Sequence, residues 1–172
     1  MTSWRNCRPC VNETSSTMAD VIVDSLVLIG RTSGMEDVVQ LAQLNAGAVA
    51  SFRTIPEALS IAAQSPLIIV LQHEPDEFSP EEISELLNAA PLSRLMVCQG
   101  AWCASFGRTR QCWPAAVCVD ETRWLRRLKS EFTVLQGSTS PLPWTAGLDE
   151  IFAFDYGPKS VDDADDAPQE AD

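Results

Sequence analysis

The sequence predicts an α/β fold: a doubly wound, five-stranded parallel sheet in the order 2-1-3-4-5, with a C-terminal extension. Three observations carry this reading. Short apolar runs alternate with segments of helical periodicity from Val21 to Phe132, the rhythm of right-handed strand–helix–strand crossovers. The run Leu67-Ile68-Ile69-Val70-Leu71 has no polar alternation, as expected of a strand covered on both faces. Finally, 172 residues fill one core plus extensions but not two ordinary domains.

Each element has a local reason. Val21–Ile29 (VIVDSLVLI) is the first strand, Leu26–Ile29 its buried part, and Gly30–Gly34 a loop. Met35–Ala46 is a helix, because Met35, Val38, Val39, Ala42 and Ala46 share one face, and Gly47 supplies a stop. Ala48–Arg53 is the second strand. Thr54-Ile55-Pro56-Glu57 has capping-box spacing with Pro in the first turn, and opens a helix to about Gln64. Leu67–Leu71 is the third strand. At the next helix Ser79 accepts from orphan amides, Pro80 fits the first turn and Glu82 reaches back to the cap. Ile83, Leu86, Leu87 and Ala90 form its inward face. Leu95–Cys98 and Ala115–Val119 are the fourth and fifth strands. Glu121–Phe132 is the last helix, with Trp124, Leu125, Leu128 and Phe132 inward and Arg123, Arg126, Arg127 and Lys129 toward solvent.

This divides the chain into a flexible leader (1–19), the α/β domain (20–132), a C-terminal arm (133–158) and a disordered acidic tail (159–172). The net charge is −12, and six acids against Lys159 in the tail supply −5 of it. With no aromatic residue and one valine there, the tail cannot bury enough surface to offset the entropy of ordering. An acidic balance repels phosphate backbones, which argues against nucleic acid as a partner. Asn12–Thr17 is polar where a signal peptide needs an apolar run, and no stretch approaches bilayer-spanning length. The protein is therefore expected in the cytoplasm, away from membranes, with its six cysteines as thiols.

The segments SLVLIG, GMEDVVQLAQLNAG, AVASFRTIPEAL, SPLIIVLQHEP and LSRLMVCQG resemble, in spacing and pattern, the receiver domain of bacterial response regulators over about residues 21–132, a flavodoxin-like fold. The resemblance implies paired acids after the first strand, a phosphorylated Asp after the third, Ser or Thr after the fourth and Lys after the fifth. Those groups bind Mg²⁺ and neutralise charge on the transferred phosphoryl group. The matching positions here read Gly30-Arg31, Gln72, Gln99 and Asp120. An amide does not displace phosphate, and Arg31 would repel Mg²⁺. The resemblance thus implies a degenerate, pseudo-receiver pocket without the phosphoryl chemistry. Glu74, Asp76 and Glu77 crowd the loop after the third strand. They offer either oxygen ligands for a divalent cation or, more simply, solvated acids favouring a helix N-terminus. His73 has no adjacent Ser or Cys partner and reads as a surface histidine.

Between the fourth and fifth strands, Gln99–Pro114 holds two Trp, two Cys and two Arg with poor helical periodicity. It is expected to be a loop with at most a short helical turn. Loops at the carboxyl edge of such sheets carry binding sites, and Trp and Arg are enriched at hot spots. Trp102, Arg108, Arg110 and Trp113 are therefore the candidate binding surface, unless both Trp fold back as core lids. Cys7 and Cys10 have the spacing of a redox pair or half a zinc site, and Cys103 with Cys112 would complete a ligand set. Cys98 and Cys118 read as small buried hydrophobes. In the arm, Pro141-Leu142-Pro143-Trp144 is extended, and Ile151, Phe152, Phe154 and Tyr156 form an apolar strip that either docks on the domain or engages another chain. The Gly30–Gly34 loop lacks the Lys-Ser/Thr ending of a phosphate-cradling loop. The expectation is a non-catalytic regulatory module that acts through a protein partner, with no cofactor or metal, and with homodimerisation open. The alternatives are a small enzyme or ligand binder using the strand-end loops, and a thiol or zinc protein using Cys7 and Cys10.

Overall fold

The computed structural model describes residues 22–103, 113–143 and 145–157. The chain order is β1 (Val23–Gly30), α1 (Glu36–Asn45), β2 (Ala46–Phe52), α2 (Ile55–Ala62), β3 (Leu67–Gln72), α3 (Pro80–Ala89) and β4 (Arg94–Gln99). A 3-10 turn (Ala101–Cys103), β5 (Val117–Asp120), α4 (Trp124–Leu135) and α5 (Leu148–Tyr156) follow. All four strand pairings are parallel, in the order β2-β1-β3-β4-β5. The doubly wound flavodoxin-like architecture is thus the one the sequence predicts.

The central strand β3 is buried at every position, and its pleat divides the core in two. Leu67, Ile69 and Leu71 face Val38 and Ala42 of α1 and Trp124, Leu128 and Phe132 of α4. Ile68 and Val70 face Ile55, Ala58 and Ala62 of α2 and Ile83 and Leu86 of α3. At α3 the capping box forms as its sequence requires. Ser79 Oγ accepts from Glu82 N at 3.2 Å, and Glu82 Oε2 accepts from Ser79 N at 2.9 Å. No helix among the described residues is long and apolar enough to cross a membrane.

Several local expectations are corrected. Gly47 does not stop α1; the chain passes from Asn45 directly into β2, where Gly47 lies between Ala46 and Ala48, which pair with Val23 and Ser25 of β1. Asn45 terminates the helix itself, its side-chain amide donating to Leu41 O at 2.7 Å. The Thr54 side chain makes no cap bond; the Glu57 carboxylate instead accepts from Arg53 N at 3.2 Å, one residue earlier. β5 begins at Val117 rather than Ala115, and α4 continues beyond Phe132 to Leu135. On α4 the inward stripe is Trp124, Leu128 and Phe132, while Leu125 is exposed. Arg127, expected toward solvent, is buried.

The reason for that burial is α5. Arg127 lies one turn before Glu131, on the stripe of α4 that α5 covers. Its Nε donates to Glu131 Oε1 at 2.9 Å and its Nη1 to Asp155 Oδ1 at 3.1 Å. Arg94 Nε donates to Glu131 Oε2 at 2.5 Å. Buried charges persist only when paired in this way. Arg127 also lies over the Phe154 ring and Arg126 over Tyr156, at 4.7 and 4.1 Å from the centroids. The start of α5 is closed by Glu150 Oε2, which accepts from Gly147 N at 2.8 Å.

Candidate functional site

Parallel strands that end together bring Gly30, Gln72, Gln99 and Asp120 to the carboxyl edge of the sheet. Register pairs Gly30 with Leu71, Gln72 with Gln99 and Gln99 with Asp120. Gly30 has φ +114°, and a β-carbon there would collide with the Leu71 carbonyl, so only glycine lets β1 turn this closely past β3.

Gln72 is 1 % exposed, and its amide is fully engaged. Nε2 donates to the carbonyls of Glu74 and Pro75 at 3.1 and 3.0 Å. Oε1 accepts from Trp113 Nε1 at 3.2 Å and from Gln99 Nε2 at 3.4 Å. The backbone oxygen of Gln72 accepts from Gly100 N at 2.8 Å and from the Cys103 thiol at 3.7 Å. One amide, donor on one side and acceptor on the other, therefore ties the loop after β3 to the segment after β4. A carboxylate could not do this, since it lacks donors for the two carbonyls.

Arg31 sits beside this knot, with Nε 3.3 Å from Glu77 Oε1 and Nη2 3.6 Å from Glu74 Oε1. The other Glu77 oxygen accepts from His73 N at 2.6 Å and Glu74 N at 3.3 Å. Arg31 thus occupies the place a cation would take among these acids. Among the described residues no group of three or more His, Cys, Asp or Glu is arranged to hold a metal ion. The half-buried His73 places Nε2 2.8 Å from the Arg31 carbonyl; a carbonyl only accepts, so Nε2 carries the proton in this contact.

At the end of β5 the Asp120 carboxylate accepts from Arg123 Nη2 at 2.7 Å and Nε at 3.0 Å and from Thr122 Oγ1 at 2.6 Å. Burial pushes its pKa up, but the Arg123 and Thr122 bonds outweigh burial and hold it below the ordinary carboxylate range. Burial, and then the charge of Glu77, raises the Cys103 thiol above its ordinary value. Burial raises Cys98 much further.

The candidate binding surface divides. Trp102 is 80 % exposed on the 3-10 turn. Trp113 is not a surface residue: it is 3 % exposed and meets Phe78 edge-on, ring centroids 6.0 Å apart. Among the described residues only the 3-10 turn lies between β4 and β5 as regular structure, and the Trp113 indole packs on the sheet face shared by α2 and α3. A large ring with one polar atom suits that position because Gln72 supplies its acceptor. Arg108, Arg110 and Cys112 lie outside the described residues, as do Cys7 and Cys10. Cys118, expected to be buried, is exposed on β5, the terminal strand of the sheet among the described residues. The roles of Glu77 as a clamp and Asp155 as the partner of Arg127 left no mark in the sequence.

No family model and no curated protein matches the chain. A solved structure described as the adenylate cyclase from Rhodopirellula baltica is similar, with 14% sequence identity and a TM-score of 0.50, over 67% of this chain and 88% of that one. At this identity the likeness is one of fold alone.

Proposed function

We propose that this chain is a pseudo-receiver regulatory module that acts by binding a protein partner, without phosphoryl transfer. The observation that supports this reading is the commitment of Gln72, whose side chain stands where the receiver resemblance puts the phosphorylated Asp. It is sealed beneath Trp113 and bonded on both sides. The end of β1 offers no acid, only Gly30 and an Arg31 already paired with Glu77. A receiver pocket needs clustered carboxylates around Mg²⁺, and this edge is instead a hydrogen-bonded plug. Trp102 is the contact residue in this reading, a large exposed ring of the type that anchors interfaces.

Two measurements test it. Incubation with acetyl phosphate and Mg²⁺ leaves the intact mass unchanged, and Gln72→Asp does not restore an adduct because the other acids are still missing. A phosphoryl adduct on the wild-type chain overturns the reading. In a cross-linking and pull-down comparison, Trp102→Ala loses the partners that wild type retains; identical partners remove Trp102 from the surface.

A further inference from the structure

Between the free edge of β5 and the C-terminal segment lies a cavity of about 220 Å³. It draws on the amino half of β4, on β5, on α4 and its N-cap Arg123, on α5, and on Leu142, Pro143 and Ala146, and is separate from the Gln72 knot. Its lining residues include three arginines, Arg94, Arg123 and Arg127, and one acid, Asp155. The other two acids of the network stand outside the lining: Glu131 is fully buried behind Arg94 and Arg127, and Asp120 holds Arg123 from the strand end. The remaining wall is apolar, from Val117, Leu142, Pro143 and Ile151.

We propose that this cavity binds a small organic anion, a carboxylate or phosphate monoester on a compact apolar body. Each guanidinium has five N–H donors in a planar fork. The ion pairs with carboxylates use Nε of Arg94, Nε and Nη2 of Arg123, and Nε and Nη1 of Arg127. Those bonds fix the three forks in place. They engage only part of each fork, and its further N–H donors are the groups a bound oxyanion would meet. Preorganised forks around one concave space favour an oxyanion, and the apolar wall accommodates the rest of a small ligand. Glu131, Asp155 and Asp120 balance the three guanidinium charges, so in a chain of net charge −12 the cavity is a locally neutral place where directed N–H donors, rather than excess positive charge, favour an oxyanion. Cys118 lines the same cavity and is exposed, which provides a reporter within the site.

The test uses the full-length chain with benzoate, phenyl phosphate, inorganic phosphate and benzyl alcohol, by calorimetric titration. Saturable binding of benzoate or of phenyl phosphate is expected, and their ratio tells which oxyanion the forks prefer. Benzyl alcohol lacks the charge and inorganic phosphate lacks the apolar body; each is expected to bind at least about tenfold more weakly, as the loss of charge-assisted bonds or apolar burial implies. Arg123→Gln, on a half-exposed residue, and Ala146→Trp, which fills the cavity from the rim, should each weaken binding at least about tenfold. Bound anion should also slow iodoacetamide alkylation of Cys118, followed on its own peptide by mass spectrometry. No saturable binding of either organic anion, equal binding of benzyl alcohol, or unchanged affinity in both variants overturns the proposal.

Discussion

Replacing Trp113 by alanine distinguishes a core indole from a recognition residue. The side chain is 3 % exposed, touches Phe78 edge-on, and donates to Gln72 Oε1. Burying a Trp removes roughly 200 Å² from water, which at ~25 cal/mol/Å² corresponds to about 5 kcal/mol as an upper limit. Large-to-small substitutions at such sites cost about 3–5 kcal/mol. Gln72 keeps Gln99 as a donor to the same oxygen, so the lost hydrogen bond adds only about 1 kcal/mol. We expect Trp113→Ala to destabilise by about 4 kcal/mol in urea-induced unfolding, with an unchanged m-value. Trp113→Phe keeps a ring in place and is expected to cost about 1–2 kcal/mol, chiefly the indole N–H bond and a little packing. Trp102→Ala, at 80 % exposure, is expected to stay within about 0.5 kcal/mol of wild type. If Trp113→Ala costs less than about 1 kcal/mol, or no more than Trp102→Ala, the indole does not roof the sheet and the reasoning fails.

Glu131→Gln preserves shape but leaves Arg94 without its carboxylate partner and Arg127 with Asp155 alone; we expect a loss of about 3–5 kcal/mol in chemical denaturation, as for other broken buried pairs. Gly30→Ala must adopt φ +114° against the Leu71 carbonyl, and should cost more than about 1 kcal/mol in the same measurement. Asp120 carries a pH dependence of defined sign. Its folded pKa lies below the unfolded value, so its stabilisation is present above about pH 4 and is lost as pH falls through the lowered folded value. Asp120→Asn should therefore be less stable than wild type at neutral pH, and the two unfolding midpoints should converge in strongly acid buffer; a difference that persists there would show that the side chain acts without its charge.

Particular residues show how far the sequence could be read. Ser79, Pro80 and Glu82 mark a helix start by chemistry confined to one turn, and the structure forms that cap as written. Thr54 and Glu57 carry the same spacing, yet Glu57 bonds to Arg53 N instead; the competing donor lay one residue outside the motif. Leu125 and Arg127 are each misplaced by a reading of α4 as a helix with a solvent face. Sequence period places residues on a cylinder, but α5, which is distant in sequence, decides which side of that cylinder is covered. At the strand ends, Gly30, Gln72, Gln99 and Asp120 were legible as a set because parallel strands end on one edge. The bonds among them were not.

By itself, the amino-acid sequence determined the sheet and its order. Apolar runs and helical periodicity depend on neighbours within a few residues, and right-handed crossovers leave few topologies to choose from. It also determined that an amide, and not an acid, ends β3. Only the tertiary structure decided what that amide does, which tryptophan is exposed, and where three arginines converge. Each of those facts is a contact between residues far apart along the chain, such as Gln72 with Trp113 or Arg127 with Asp155. Burial makes such polar contacts obligatory once the fold has closed, because an unpaired polar atom inside is costly. Their geometry comes from the packing of whole elements, which no local pattern encodes.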